Sequence, residues 1–402
     1  MKTTTDLYAY AQNVEILRED ILRTEYPPEL RKTPPLFSVA MASSLLDMSY
    51  QSLQRLIREG GIECNEDDNN KRVFTLEQLD IARKKLQSNT RKKDYYIARP
   101  ENIINPYVIS VANLKGGSSK TTTAFHLAQY LAMQGYRVLA IDSDPQASLS
   151  SMLGKIPLEG PDVEGSQFVS PEQTLLNLYS ESKQLKPEKT YWHNLDLIPS
   201  SIRLFDAEFI MPSRQMNEDK FQFHRVLHDE LRSSHFIDYD IIVIDCAPSF
   251  SYVTLNAIYS SDAMIVPVPP SHLDILATGA FFDQLNLVLT QIEEAFSESK
   301  SFDFILGLRT RMESDLESLR NGSRIAEIFG GDMIQEQAII SKAVKVAADK
   351  NMSIYELNGE GVNSRTYKRA IECFNAINRE VLLRVIDAWS VKSKHFSKTG
   401  AN

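Results

Sequence analysis

The segment LKGGSSKTTT, Leu114 to Thr123, stands between an apolar β-branched run, YVISVAN, and a helical pattern, AFHLAQYLAMQG. A glycine-containing loop between a buried strand and a helix N-terminus aims backbone N–H groups and the helix dipole at one point, where a triphosphate fits. Gly116 and Gly117 let the backbone approach the phosphates, and Ser118 and Ser119 complete the loop. Lys120 is placed to reach the β- and γ-phosphates, the Thr121 hydroxyl to bind magnesium, and Thr122 to add a contact from the first helical turn. Ser119 occupies a place usually held by glycine, and a residue with a Cβ at φ > 0 carries strain.

Three acids follow at the ends of strand-like runs: Asp142 and Asp144 in IDSDPQAS, and Asp245 in YDIIVIDCAPS. A lone Asp at a strand end can simply cap a helix or satisfy a loop, but three beside one phosphate loop make that bland reading a poor one. Cys246, next to Asp245, reads as a small buried apolar residue.

The loop departs from GxxxxGK[ST], with Lys115 at its entrance, and resembles the deviant Walker A pattern KGGxxK[ST] of the ParA partition ATPases. The DxDPQ segment, the Asp245 strand and SDAMIVPVPPSHLDILAT carry the same resemblance in the same order, over roughly residues 107 to 388. The resemblance implies a doubly wound, mostly parallel α/β ATPase that binds ATP, ADP and Mg2+. Carried over by matching position, Lys115 reaches the nucleotide of the other subunit in an ATP-sandwich homodimer, and Lys120 and Thr121 serve the nucleotide in cis. By the same matching Asp144 orients the attacking water, and Asp142 and Asp245 support the metal together with Thr121, mostly through waters. It further implies segregation of a plasmid or secondary chromosome, a ParB-type centromere-binding partner that stimulates hydrolysis, and binding to nonspecific nucleoid DNA. Lys342, Lys345 and Lys350 lie where ParA relatives carry basic residues for that contact; Arg365, Lys368 and Arg369, at the start of the last helical pattern, are an equal alternative.

Upstream, Leu7, Tyr10, Val14, Leu17 and Ile21 recur at three- and four-residue spacings and form a helical seam that ends at Pro27 and Pro28. Pairing with a second copy and packing onto its own chain are both open to such a seam. In FSVAMASSLLDMSYQSLQRLIREGGI, an apolar face of Val39, Ala42, Leu45 and Leu46 precedes a turn at Asp47 and Met48, and Ser49 caps a second helix. That helix places Leu53, Leu56 and Ile57 inside and Tyr50, Gln51, Gln54, Arg55 and Arg58 outside, side chains suited to base edges and phosphates. ECNEDDNNKRVF then reads as a wing hairpin before the helix TLEQLDIARKKL, the order of winged readers of the MerR kind; a plain helical bundle is the alternative. Residues 81–100 hold Arg83, Lys84, Lys85, Arg91, Lys92, Lys93 and Arg99 against Asp94 alone, and read as a basic linker. An all-helical N-terminal extension with a winged helix-turn-helix matches the larger, autoregulating ParA class, whose members also bind operator DNA. The expected parts are a dimerisation helix at 1–30, a winged helix-turn-helix with its linker at 31–100, and the ATPase domain at 101–402.

The 402 residues carry 44 Lys+Arg against 53 Asp+Glu, a net charge of −9, and are 43% hydrophobic and 24% charged, a balance that excludes a mainly disordered chain. Only 16 Gly and 17 Pro exclude a collagen-like one. Cys64, Cys246 and Cys373 stand far apart with no CxxC, against a disulfide framework or a zinc site. The N-terminus lacks a basic-then-apolar leader pattern, and the longest apolar stretches fall short of the roughly 18 residues of a membrane span, so a cytoplasmic, nucleoid-associated protein with no membrane partner is expected. Two other classes compete: a transcriptional regulator that uses ATP only as an allosteric ligand, and a MinD-like ATPase that cycles on a membrane.

Overall fold

The computed structural model describes residues 3–25, 32–89, 96–156, 169–181, 184–218, 221–357 and 359–399. Contacts divide the chain into Met1–Thr33 and Pro34–Asn402. The first unit contains α1 (Thr4–Glu25), on which Leu7, Tyr10, Val14 and Leu17 are exposed. Pro27 and Pro28, the expected terminators of the seam, lie outside the described residues.

The second unit opens with β1 (Phe37–Ser38), α2 (Val39–Leu45) and α3 (Tyr50–Arg58). The side chain of Ser38 caps α2 by accepting from the Met41 N–H, and that of Ser49 caps α3 by accepting from the Ser52 N–H. Asp47 sits at φ 48° in the turn between them, a conformation its short polar side chain tolerates. β2 (Asn65–Glu66) and β3 (Arg72–Phe74) form an antiparallel hairpin, followed by α4 (Leu76–Asn89). The extension is not all-helical: β1 adds to β3 as a third strand, with Phe37 opposite Phe74 and both rings buried. Two residues are too few to show an alternation, so this strand leaves no periodic signal in the sequence.

Beyond 100, β4 (Tyr107–Val111), α5 (Lys120–Met133), β5 (Val138–Ser143), α6 (Ser148–Met152) and α7 (Leu176–Glu181) precede β6 (Glu188–Lys189) and β7 (Leu195–Ile198). There follow α8 (Ala207–Asn217), α9 (Val226–Leu231), β8 (Ile241–Cys246), α10 (Tyr252–Ser260), β9 (Ala263–Val268), α11 (His272–Phe296), β10 (Phe304–Arg309), α12 (Leu316–Phe329), α13 (Lys342–Asp349) and α14 (Ser364–Thr399). The seven-stranded sheet runs β10-β9-β4-β8-β5-β7-β6, parallel throughout except for the β6–β7 pair.

The strand alternation divides the core between the two faces of the sheet. Tyr107, Ile109 and Val111 pack with Phe125, Leu127 and Leu131 of α5 and with Phe374, Ile377 and Trp389 of α14. Val108, Leu139 and Ile141 pack on the opposite face with Met211, Leu227, Ile258 and Phe281. Helices on both faces are what a doubly wound sheet requires. The last helix packs against the sheet as its apolar pattern implies: the Trp389 ring meets that of Tyr107 edge-on, with centroids 6.4 Å apart. By length and composition α11 is apolar enough to cross a membrane, which a scan for unbroken apolar runs misses because Thr, Gln and Asn interrupt it; 22% of its apolar window is buried, and Phe281, Leu285 and Ile292 lie in the core.

The extension shares the α5 face of the core, through Phe37, Leu46, Leu53, Phe74 and Leu79. Arg83 of α4, 2% exposed, donates from Nη2 to the Leu45 carbonyl at the end of α2 (2.6 Å) and to the Met133 carbonyl at the end of α5 (3.1 Å). Each helix end leaves carbonyls without intrahelical partners, and a buried guanidinium satisfies both ends at once. One turn earlier Asp80 accepts from Lys84 (2.8 Å) and from Asn194 (3.2 Å), and His193 Nε2 lies 3.4 Å away. Gly135 sits at φ 94° against this joint, where an added Cβ would lie 3.0 Å from the Asp80 carboxylate. Arg99 is likewise tied down, donating to the Tyr239 and Ile237 carbonyls, both at 2.7 Å. Of the basic run, then, Arg83 and Arg99 are structural, while Arg91, Lys92 and Lys93 lie outside the described residues.

Candidate functional site

The phosphate loop leaves β4 at its C-terminal end, where open parallel sheets bind ligands. Asn113 fixes the exit: its Nδ2 donates to the Pro267 carbonyl (2.9 Å) and to Thr278 Oγ1 (3.1 Å), while its Oδ1 accepts from the Lys115 N–H. Gly117 and Ser119 both adopt φ 75°. For Ser119 this is the strain expected at the usual glycine position, held in place by the helix that begins at Lys120. Thr310 Oγ1 donates to the Ser118 carbonyl (3.0 Å) and Arg311 Nη1 to the Gly117 carbonyl (3.3 Å), so the turn after β10 braces the loop from outside.

Lys120 is buried, and its Nζ donates back to the Lys115 carbonyl at 3.1 Å. Burial holds its pKa below the ordinary lysine value, against the opposing pull of Asp245, Cys246 and Asp144. Asp142 and Asp245 stand directly opposite one another on β5 and β8, both fully buried. Asp142 Oδ2 accepts from the Ser150 N–H (2.8 Å) and hydroxyl (2.7 Å), and its Oδ1 from the Asp144 N–H (3.2 Å). Neither Asp245 carboxylate oxygen has a hydrogen-bond partner within bonding geometry. Burial raises both carboxyls above the usual range, and at Asp245 the like charge of Asp142 adds to it while the Thr121 hydroxyl and Lys120 offset part of the effect. Burial likewise pushes the Cys246 thiol up to about 12, as befits an inert small residue. Asp144 is half-buried at the rim, where its Oδ1 accepts from the Gln146 N–H at 2.9 Å.

Residues 116–123, Asp144 and Pro248 line one side of a cavity of about 530 Å3. The C-terminal part of its lining comes from Thr310 and Arg311, the segment 338–341, Val344, Lys345 and Ala348 on α13, and Phe374 on α14. Lys115 does not line it; it faces a smaller recess of about 260 Å3 with Ser271, Asp274, Arg311 and Glu313. Among the described residues no group of three or more His, Cys, Asp or Glu is arranged to hold a metal ion. That suits Mg2+, which keeps several waters and takes its remaining ligands from phosphates and one hydroxyl. The unbonded, buried Asp245 oxygens beside Thr121 fit such a water-coordinated cation.

Of the other expected site residues, Tyr50, Gln51, Arg55 and Arg58 are exposed on α3, and Gln54 Nε2 donates to the Tyr50 hydroxyl (2.8 Å). Lys342 and Lys350 are exposed at the two ends of α13, Lys350 in an ion pair with Glu360 at 3.2 Å, whereas Lys345 stands on the cavity wall. Sequence reasoning missed Thr310, Arg311 and the segment 338–341, because no glycine pattern or acid marks them; their only sign is the position of LRTR at the end of a strand.

A phosphate loop at the C-terminal edge of a parallel sheet, with acids at the ends of β8 and β5 beside it, defines a P-loop α/β nucleoside triphosphatase. A family model described as AAA domain matches residues 107–297. A Rhizobium rhizogenes protein described as a candidate replication protein A is 33% identical over 374 residues, 90% of each chain. Protein SopA of Escherichia coli K12 is 31% identical over 280 residues, 66% of this chain and 67% of SopA. A solved structure described as a partition protein superposes with a TM-score of 0.63 at 19% identity, covering 94% of this chain and 98% of that one. The chain belongs to the ParA/Soj/MinD superfamily of deviant Walker A ATPases. It is an ATPase of the plasmid and chromosome partition kind that includes SopA.

Proposed function

We propose that this ATPase segregates a plasmid or secondary chromosome by cycling between an ATP-bound sandwich dimer on nonspecific nucleoid DNA and a released state, with hydrolysis stimulated by a ParB-type centromere-binding protein. The observation that carries the reading is the separation of the two lysines: Lys120 lines the large cavity, and Lys115 faces the recess beside it. A cation outside its own nucleotide's cavity is suited to the γ-phosphate of a second subunit. In this reading Gly116 to Thr122 cradle ATP, Lys120 neutralises its phosphates, Thr121 ligates Mg2+ with Asp142 and Asp245 behind its waters, and Asp144 orients the attacking water. Lys342, Lys345 and Lys350 are the candidates for nonspecific DNA. Lys115→Ala is expected to keep most ATP affinity but to lose ATP-dependent dimer formation and turnover. Light scattering with a phosphate-release assay checks this, and normal turnover in the variant refutes the role.

The extension serves, in the same proposal, as a winged helix-turn-helix that binds operator DNA and represses the protein's own operon. Its support is the capped α2–turn–α3 pair, the β2–β3 hairpin and the exposed side chains on α3. Replacing Arg55 and Arg58 together by alanine is expected to weaken operator binding by about a hundredfold or more, at roughly 1–3 kcal/mol for each base-reading contact. ATPase activity should be retained, since the phosphate loop lies on another part of the fold. Equal operator affinity in a gel shift at fixed salt would count against the assignment.

A further inference from the structure

We propose that His126 is a positioning residue that joins the phosphate-loop helix to the C-terminal wall of the nucleotide cavity and thereby sets nucleotide affinity. The inference rests on the reading of that cavity as the ATP site. His126, on α5, is 3% exposed. Its Nδ1 lies 2.7 Å from the Thr122 carbonyl and its Nε2 lies 3.2 Å from the Ile354 backbone nitrogen. Its own carbonyl accepts from Asn378 Nδ2 (3.3 Å), and its ring stacks on Phe374 with centroids 4.2 Å apart. Thr122 belongs to the loop part of the cavity lining and Phe374 to its C-terminal part, so one imidazole touches both from behind.

The bonding pattern admits one form of the ring. A carbonyl only accepts and a backbone N–H only donates, so the proton sits on Nδ1 and the lone pair on Nε2. Burial pushes the imidazole pKa down to about 4, which keeps that neutral form in place at physiological pH. The bridge continues into α14 through Asn378, which also donates to the Tyr355 hydroxyl (3.2 Å); that hydroxyl in turn donates to Asn375 Oδ1 (3.1 Å). Without the bridge, the segment around Ile354 and Phe374 loses its fixed place against α5. A nucleotide must then order its own far wall on binding, and that cost falls on affinity, while the loop, Lys120 and Asp144 still perform the chemistry.

His126→Ala is expected to raise the ATP dissociation constant about tenfold, as for two buried hydrogen bonds removed, with kcat at saturating ATP within about twofold of the parent. His126→Gln keeps one amide donor and one acceptor and is expected to recover most of the affinity. Trp389→Phe, a packing change elsewhere on α14, should lower the melting temperature without moving the constant. Calorimetry, turnover and thermal melts on the full chain measure all three. The proposal is overturned if the His126→Ala constant stays within twofold of the parent, if a folded His126→Gln does not recover, or if Trp389→Phe weakens ATP in step with its melting temperature. Should His126→Ala fail to fold, 15N NMR of the parent at pH 7 decides: a neutral Nδ1-protonated ring supports the bridge, and the other tautomer or a charged ring overturns it. Lys120→Ala separates the levels. If it leaves ATP affinity unchanged, the cavity reading itself fails; if it abolishes binding while His126→Ala changes nothing, only the present inference fails.

Discussion

Lys120→Ala is expected to abolish nucleotide binding. Lys120 is a buried cation at the start of α5, and it faces Asp245, Cys246 and Asp144. Its ammonium supplies charge-assisted hydrogen bonds to the β- and γ-phosphates, and no other lysine lines the loop side of the cavity among the described residues. Its removal also leaves the Asp245 carboxylate without the cation that offsets its burial. Two charge-assisted hydrogen bonds to the phosphates, at about 1.5–3 kcal/mol each, amount to a hundredfold or more in affinity. Calorimetry with ATP and Mg2+ checks the result. An unchanged affinity would remove the loop from the nucleotide site.

Asp144→Ala is expected to do the opposite to the ground state: ATP still binds, and the chemical step slows. Phosphoryl transfer to water needs a nucleophile held in line with the γ-phosphate, whereas binding needs the loop, the metal and Lys120. Asp144 suits the first task. It is half-buried on the cavity rim, carries only the Gln146 N–H on Oδ1, and stands apart from the fully buried Asp142 and Asp245. Loss of a water-positioning carboxylate costs about a hundredfold or more in rate. On the proposed partition cycle the variant should therefore accumulate in the ATP-bound, DNA-bound state and not respond to a ParB-type protein. Single-turnover hydrolysis and DNA retention measure both halves. A parental rate, or a loss of ATP affinity as complete as in Lys120→Ala, would transfer the role to Asp142.

What was legible in the sequence followed from how local each signal is. The loop at Lys115–Thr122 and the acids at 142, 144 and 245 could be read because a glycine turn and a strand-end carboxylate announce themselves within a few residues. The far wall of the cavity could not. Arg311, Ile339 and Phe374 come together only when β10, the segment before α13 and α14 converge on the loop. His126 carries no mark of its own within the helical pattern AFHLAQYLAMQG, since nothing near it in the chain reveals Ile354 or Phe374 as neighbours. β7 was missed because its four residues are all buried, so LDLI shows no sustained alternation of apolar and polar positions. Arg83 was misread for a physical reason. A cation in a basic run looks solvated, but its position on α4 beside Leu79 and Ala82 places it on the inner face of the helix.

That inward arginine limits how this protein can be recombined. α2 and α5 end on a single shared guanidinium, so neither the segment that carries α2 to α4 nor the ATPase domain is a finished part by itself. A chimera that set a different N-terminal segment on this ATPase would have to bring its own cation to the end of α5, and this segment moved elsewhere would arrive with a buried charge in search of two carbonyls. Shuffling is expected to succeed only at a junction upstream of Pro34, where the chain passes from one unit to the next without dividing that pair.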